Sequence, residues 1–509
     1  MTSFGERLRQ QPPGYNFTIG RILAIYAGLM VTLALAALDQ TIVATALPRI
    51  VGDLGGITQY SWVFTAYMLT STVTVPLYGK LGDVYGRKNL FLLAIVLFLV
   101  GSALCGFAQT MTELVFCRAI QGIGAGGLFP LSLAVIGNIV PPRDRGRWQG
   151  LIGAVFASSS IIGPAVGGFI VDNTSWRWIF FVNLPVGALA LVVISLTMPH
   201  RAARTAHTID WLGAGVLAAG TGALLLGLVW GGNEYPWASG EVIGVIAAAV
   251  ALLAVFALVE RRAAEPILPF DVLRNPIVAG SVACMALVGM VMFGTISYVP
   301  LFVQGVIGTS ATSSGVVLTP MTLGAVCTSI LTGQLVSRTG RYRWNAVLGP
   351  VVLTGGMILL WRMGVGTTNA EAARNMVITG IGVGSMMQVF VLSVQNVVPR
   401  ARIGSATALT QFSRQMGATL GVTVIGVIVN HGLPAGVSAG GEGASIHRLP
   451  PQLRSGLAAA IHPAFLVSAC LAACVWLIAV VFVKEQALRR SLDDVAAVEA
   501  AAAAPAAPE

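Results

Sequence analysis

The sequence predicts an all-α integral membrane protein of fourteen transmembrane helices, built as two six-helix bundles with two further helices inserted between them. Three observations carry that expectation. Only 10% of the 509 residues are charged and 56% are hydrophobic, whereas a soluble domain carries about 25% charged residues. Fourteen apolar runs are present, each near the length of about 20 residues that a spanning helix needs. A charged loop after the second run recurs after the tenth. That offset of eight, not six, calls for two extra helices between repeated halves.

The first run covers about 20–47 and is expected to end before Pro48. It holds Asp39 within "ALDQTIVATALP" (37–48). A carboxylate at a bilayer centre costs roughly 2.5–3.5 kcal/mol on insertion scales, so it needs a use. The second run, 60–79, leads into "GKLGDVYGRKN" (79–89), and the third follows at 89–109. The fourth, 113–140, opens on "RAIQGIGAGGLFP" (118–130), whose glycines allow close helix approach around Arg118. The fifth, 147–171, contains "SSSIIGPAVGGFI" (158–170). There Pro164 breaks a backbone hydrogen bond while Gly163, Gly167 and Gly168 admit a neighbouring backbone. The sixth, 177–198, completes the first bundle.

Runs seven and eight, 211–230 and 241–259, hold little besides Ala, Gly, Val and Leu and carry no charge in their apolar cores. They are expected to lie outside the core and to contribute nothing to a central cavity. The last six runs cover about 277–304, 312–336, 344–363, 371–397, 404–430 and 460–483. The expected organisation is an N-terminal segment (1–19), a first bundle (20–198), the inserted pair (211–259), a second bundle (277–483) with a long outer loop (431–459), and an Ala/Pro-rich disordered tail (484–509). Residues 1–20 are polar and the first run is long enough to span and stay, so no cleavable signal peptide is expected.

The net charge of +10 is topological. With both termini placed in the cytoplasm, 22 of the 30 Lys and Arg residues fall on inner segments, and the exceptions are Arg49, Arg118, Arg177, Arg362, Arg374, Arg414, Arg448 and Arg454. That bias follows the positive-inside rule and removes the case for nucleic-acid binding. All six cysteines lie in apolar runs and read as small buried hydrophobes. The Arg-over-Lys bias with abundant Ala and Gly points to a GC-rich bacterial genome and so to a bacterial inner (cell) membrane.

Asp83 serves no topological purpose in its basic loop. One reading is a latch: Asp83 accepts from a neighbouring helix N-terminus while Arg87 and Lys88 balance charge, and Gly79 and Gly86 permit the turn and close approach. The other is a loop that only sets topology. Its repeat, "GQLVSRTGRYR" (333–343), matches at Gly79/Gly333, Leu81/Leu335, Gly86/Gly340 and Arg87/Arg341. Asp39 is the only carboxylate well away from a helix end, and it reads either as a coupling acid or as half of a structural ion pair with Arg118. Adaptable Met and aromatic walls suit varied ligands. The cavity candidates are Trp62, Tyr67, Met68, Phe129, Met290, Phe293, Tyr298, Gln304, Met386, Met387, Gln388, Phe412 and Met416, with Arg414 near the middle of its run.

These motifs together resemble the major facilitator superfamily, and within it the fourteen-spanner drug:proton antiporters (the EmrB/QacA-like group). The likeness covers nearly the whole chain, with "SWRWIFFVNLP" (175–185) and "YVPLFVQGVIG" (298–308) as further carriers. The resemblance implies alternating access, with Asp39 and Arg118 in proton coupling, Gly79, Asp83, Gly86, Arg87 and Lys88 in gating, and Gly163, Pro164, Gly167 and Gly168 as the antiporter motif. Two positions depart from the pattern: Ala44 stands where the family has Asn, and Ser337 stands opposite Asp83 in the second copy.

The function expected is proton-coupled export of amphipathic small molecules, such as drugs, dyes or a metabolite. Alternatives are export of a lipid or glycolipid to the outer leaflet, or a non-transporting receptor. No metal-ligand cluster, Ser/His/Asp set or phosphate-binding loop is visible, so no enzyme, metal or organic cofactor is expected, only protons as coupling ion. The expected partners are the substrate and membrane lipids, with the chain a monomer.

Overall fold

The computed structural model describes residues 18–54, 60–140, 142–199, 210–232, 234–262, 268, 270–307, 311–399, 402–432, 451–486 and 488. The expected N-terminal segment, except its last two residues, and most of the expected tail lie outside them, as do residues 433–450 of the expected outer loop. Sixteen α-helices are present among the described residues. In the first part of the chain they are α1 (Ile19–Leu54), α2 (Tyr60–Tyr85), α3 (Arg87–Phe107), α4 (Met111–Ile139), α5 (Pro142–Asn173), α6 (Trp178–Phe181) and α7 (Asn183–Thr197). Then come α8 (Trp211–Trp230), α9 (Gly240–Glu260) and the short α10 (Phe270–Leu273). The last part holds α11 (Pro276–Phe302), extended by a π turn (Val303–Ile307), α12 (Ala311–Thr339), α13 (Arg343–Trp361), α14 (Asn369–Val397), α15 (Ile403–Gly432) and α16 (Pro451–Phe482).

Among the described residues eleven helical stretches are long and apolar enough to cross a membrane, against the fourteen expected. The other three expected runs form the long helices α2, α5 and α12. Each lines the central cavity, and each packs across the molecule, α2 on α15 and α5 on α12. Ser, Thr and Gly replace Leu where a helix faces a cavity or another backbone rather than lipid. Lipid-facing flanks elsewhere carry exposed Phe107, Phe116, Leu196 and Trp344.

Three boundaries differ from expectation. Helix α1 continues through position 48 to Leu54, since proline removes only one intrahelical hydrogen bond. Most of "GKLGDVYGRKN" is helical, because α2 runs to Tyr85 and α3 starts at Arg87. Gly86 alone makes the break, at φ 89°, a conformation open to glycine. Its repeat partner Gly340 takes φ 71°, so the two copies share a turn. The expected outer loop is shorter than read, since α16 already begins at Pro451.

Helices α1–α7 pack among themselves, as do α11–α16. The pair α8–α9 packs internally, and α8 leans on α2 and α15 at the seam between those two groups.

Candidate functional site

The fourth run's glycines decide where Arg118 goes. A Cβ at Gly122 or Gly126 would collide with α2, and one at Gly124 would collide with the α3 backbone. Gly101 of α3 in turn leaves room for the backbone of Gln121. Helix α4 is thereby wedged between α2 and α3, with Arg118 and Gln121, three residues apart on one face, turned inward and fully buried. Helix α1 brings Asp39, also fully buried. The break between α6 and α7 supplies the last member. Pro185 falls in the first turn of α7, where a missing N–H costs nothing, and Asn183 opens that turn.

These residues form one network. Arg118 Nη1 donates to Asp39 Oδ2 at 2.7 Å and to Gln121 Oε1 at 2.7 Å. Asp39 Oδ1 accepts from Gln121 Nε2 at 2.8 Å and from Asn183 Nδ2 at 2.9 Å. Asn183 also donates to Ser102 Oγ, which donates to the Phe180 carbonyl. The guanidinium lies 4.2 Å from the ring centroid of Tyr67, a cation–π distance. The Asp39 carboxylate thus meets three donors, the Arg118 guanidinium among them. Gln121 and Asn183 did not stand out in the sequence. A polar residue three positions from Arg118 inside an apolar run was the available signal.

Beside this network is a cavity of about 300 Å³ lined by α1, α2, α4, α5, α11, α12, α14 and α15. Tyr67 belongs to both: its ring covers Arg118 and lines the cavity. Phe129, Phe293, Met387, Gln388, Arg414 and Met68 also line it. Tyr298 does not; it lines a second cavity of about 280 Å³, which shares Met68, Phe293 and Ala418 with the first. Trp62 lines neither, because its Nε1 donates to Glu234 Oε1 at 2.6 Å in the α8–α9 turn. Met290, Met386, Phe412 and Met416 are not among the lining residues. The side chains of Gln304, Pro164 and Ala44 lie outside those described.

Among the described residues α8 and α9 give no lining to the central cavity, but α8 and the turn after it reach the second. Leu228, Val229, Gly231, Gly232 and Trp237 wall it. The α8–α9 turn folds back on itself, with the Trp237 ring against Gly231 and with Gly232 at φ 78°. The aromatic turn between them thus reaches the seam.

The gating candidates sit at the far ends of α2 and α15. Asp83 Oδ2 accepts from the Ser405 backbone N–H and hydroxyl, both at 2.8 Å, and Oδ1 accepts from Gly404 N–H at 3.1 Å. Arg87 braces it, donating to Asp83 Oδ1 at 2.8 Å and to the Ala134 carbonyl. Lys88 instead donates to the Ser195 carbonyl at 2.6 Å, within α1–α7. Gly79 contacts Ala408, where any Cβ would collide. At the same end Arg145 Nη1 donates to the Gln395 carbonyl at 3.3 Å, and Gln395 Nε2 to the Leu133 carbonyl at 3.3 Å. Arg145, Gln395, Gly404, Ser405 and Ala408 were not candidates, since only the docked helices bring them together at this end. In the second copy Arg341 is exposed while Arg87 is buried, so the copies share a turn but not a latch.

In the antiporter motif, Gly163 packs on Thr41, two residues from Asp39. Thr41 Oγ1 donates to the Ser159 carbonyl at 3.3 Å. Gly167 is buried, and a Cβ at Gly168 would meet open space.

A family model described as Major Facilitator Superfamily matches residues 29–422. The chain is 39% identical over 410 residues to a Bacillus subtilis (strain 168) protein named Multidrug transporter protein MdtP, covering 80% of this chain and 75% of that one. It is 39% identical over 405 residues to Multidrug resistance protein 3 of the same organism, covering 79% of each. Among solved structures, the proton:xylose symporter XylE aligns with a TM-score of 0.66 at 16% identity, over 95% of this chain and 100% of that one. At that identity the likeness concerns the fold alone.

Proposed function

The chain belongs to the major facilitator superfamily, and from that membership we propose that it is a proton-coupled antiporter exporting amphipathic small molecules by alternating access. It is a multi-pass membrane transporter and not an enzyme. Relatives named as multidrug transporters support the substrate class. One observation carries the coupling: a fully buried Asp39 paired to Arg118 behind the cavity wall at Tyr67.

The chemistry follows from charge. Protonating Asp39 removes the negative partner of Arg118 and leaves a buried cation held by Gln121 and an aromatic face. A pair broken this way is costly, about 3–5 kcal/mol when one partner is removed. The proton therefore changes which packing of α1, α2, α4 and α7 is favoured, and so biases the two access states. Gly163 against Thr41 gives α5 a direct hold on the same stretch of α1.

In this reading all fourteen long helices cross a bacterial inner membrane with both termini in the cytoplasm, as two six-helix bundles and an inserted pair. The Asp83 end is then cytoplasmic, and its cross-bundle bonds describe an inward-closed, outward-facing state. Gly79, Asp83, Gly86, Arg87 and Lys88 act as its gate.

The test is efflux of an amphipathic dye from proteoliposomes under an imposed pH gradient. Transport that follows the gradient and stops with a protonophore is expected. Dye movement at the same rate with the gradient collapsed overturns the coupling.

A further inference from the structure

Arg414 is the one residue charged at neutral pH among the described lining of the central cavity. Its Nε donates to Gln411 Oε1 at 3.1 Å, and its Cζ lies 5.7 Å from the Phe129 ring centroid. Among the described residues its two Nη groups have no hydrogen-bond partner and no carboxylate pairs with it. The other deep arginines differ. Arg118 has Asp39, Arg87 has Asp83, and Arg145 has the carbonyls of Val140 and Gln395.

The backbone here is closely packed. Gly289 of α11 packs directly on the Arg414 carbonyl, which pins α15 at this turn. The guanidinium thus sits on a closely packed backbone and lines an enclosure whose other walls mix apolar residues, Phe129, Phe156 and Met387 among them, with Ser, Thr and Gln. A cation in such a place normally has a partner. On α12, Ser329 is 5% exposed, and its hydroxyl has no partner among the described residues. It lines the same cavity and has a proton to donate.

The geometry points to a substrate class: amphiphiles whose head is an oxyanion, a carboxylate being the simplest, held by the Nη fork of Arg414 with Ser329 as a second donor. The apolar body then rests on Phe129, Phe156 and Met387. A guanidinium fork matches a carboxylate with two parallel bonds. A cavity of about 300 Å³ has the volume for one drug-sized molecule. This inference rests on the export reading for its direction of transport but not for binding.

The test uses the full chain in nanodiscs of zwitterionic lipid and three probes of one skeleton: dansylaminoundecanoic acid, its methyl ester and the corresponding dansylated alkylamine. Binding is read by dansyl fluorescence. The wild-type protein is expected to hold the acid about 10-fold more tightly than the ester or the amine, the scale of one charge-assisted hydrogen bond. Arg414→Gln should remove that preference while keeping ester affinity, which also reports that the variant is folded. Arg414→Lys should keep part of it. Equal affinity for acid and ester in the wild-type protein overturns the proposal, as does an acid preference that survives Arg414→Gln. Failure to bind any probe also overturns it. Displacement of the acid by added phosphatidylglycerol supports the same head-group chemistry with a lipid as source. If the acid binds through Arg414 but is not moved by a pH gradient, the export reading fails and this one stands. If a cationic dye is exported and the acid is not bound, the reverse holds.

Discussion

Asp83 and Ser405 are 322 positions apart, and the carboxylate of the first accepts the backbone N–H of the second at 2.8 Å. Asp83 therefore caps α15 from the end of α2, placing a negative charge where the helix dipole is positive. Each half of the molecule holds part of the bond, so it exists only while that end is closed.

Asp83→Ala should open it. An interaction worth about 1–3 kcal/mol changes a two-state ratio about 5–150-fold. Cysteine labelling of cavity residues from the face opposite Asp83 should fall accordingly. Labelling that matches the wild-type protein refutes the latch.

Gly79→Ala should weaken the same closure by steric means, since its Cβ would occupy the space of the Ala408 methyl. Overpacking of this kind costs about 1–3 kcal/mol. Ala408→Gly in the same chain should restore transport and thermal stability. A double variant no better than Gly79→Ala would mean that this contact is not the cause.

Asp39→Asn keeps the size of the side chain and leaves Arg118 without its charge partner. Substrate exchange across the bilayer at equal pH should persist, while efflux driven by a pH gradient should fall to background. Gradient-driven efflux at the wild-type rate would remove Asp39 from coupling.

Leu228→Trp should fill much of the second cavity, whose volume is about 280 Å³. Because that cavity shares Met68, Phe293 and Ala418 with the central one, efflux of bulky substrates should drop several-fold and efflux of small ones little. Trp62→Phe, which removes the bond to Glu234, should move efflux in the same direction to a lesser extent. Kinetics unchanged in both variants would confine the inserted pair to a lipid-facing role.

Helices were legible because the membrane imposes a length and an apolar composition on each span, and both are local properties of the chain. Asp39, Arg118 and Asp83 stood out for a related reason: a charge inside an apolar run, or an acid in a basic loop, conflicts with its surroundings and needs a partner. The repeat was legible too, because Gly86 and Gly340 both occupy a positive-φ turn that favours glycine. Partners were not legible. Gln121 and Asn183 reach Asp39, and Gly404 and Ser405 reach Asp83, only because glycine faces set how closely α4, α2 and α15 approach their neighbours. The second cavity beside α8 was not legible for the same reason, since an apolar helix has one composition whether it faces lipid or a seam. What a side chain conflicts with is written beside it in the chain; what resolves the conflict is a distance between helices, and only the packed structure decides that.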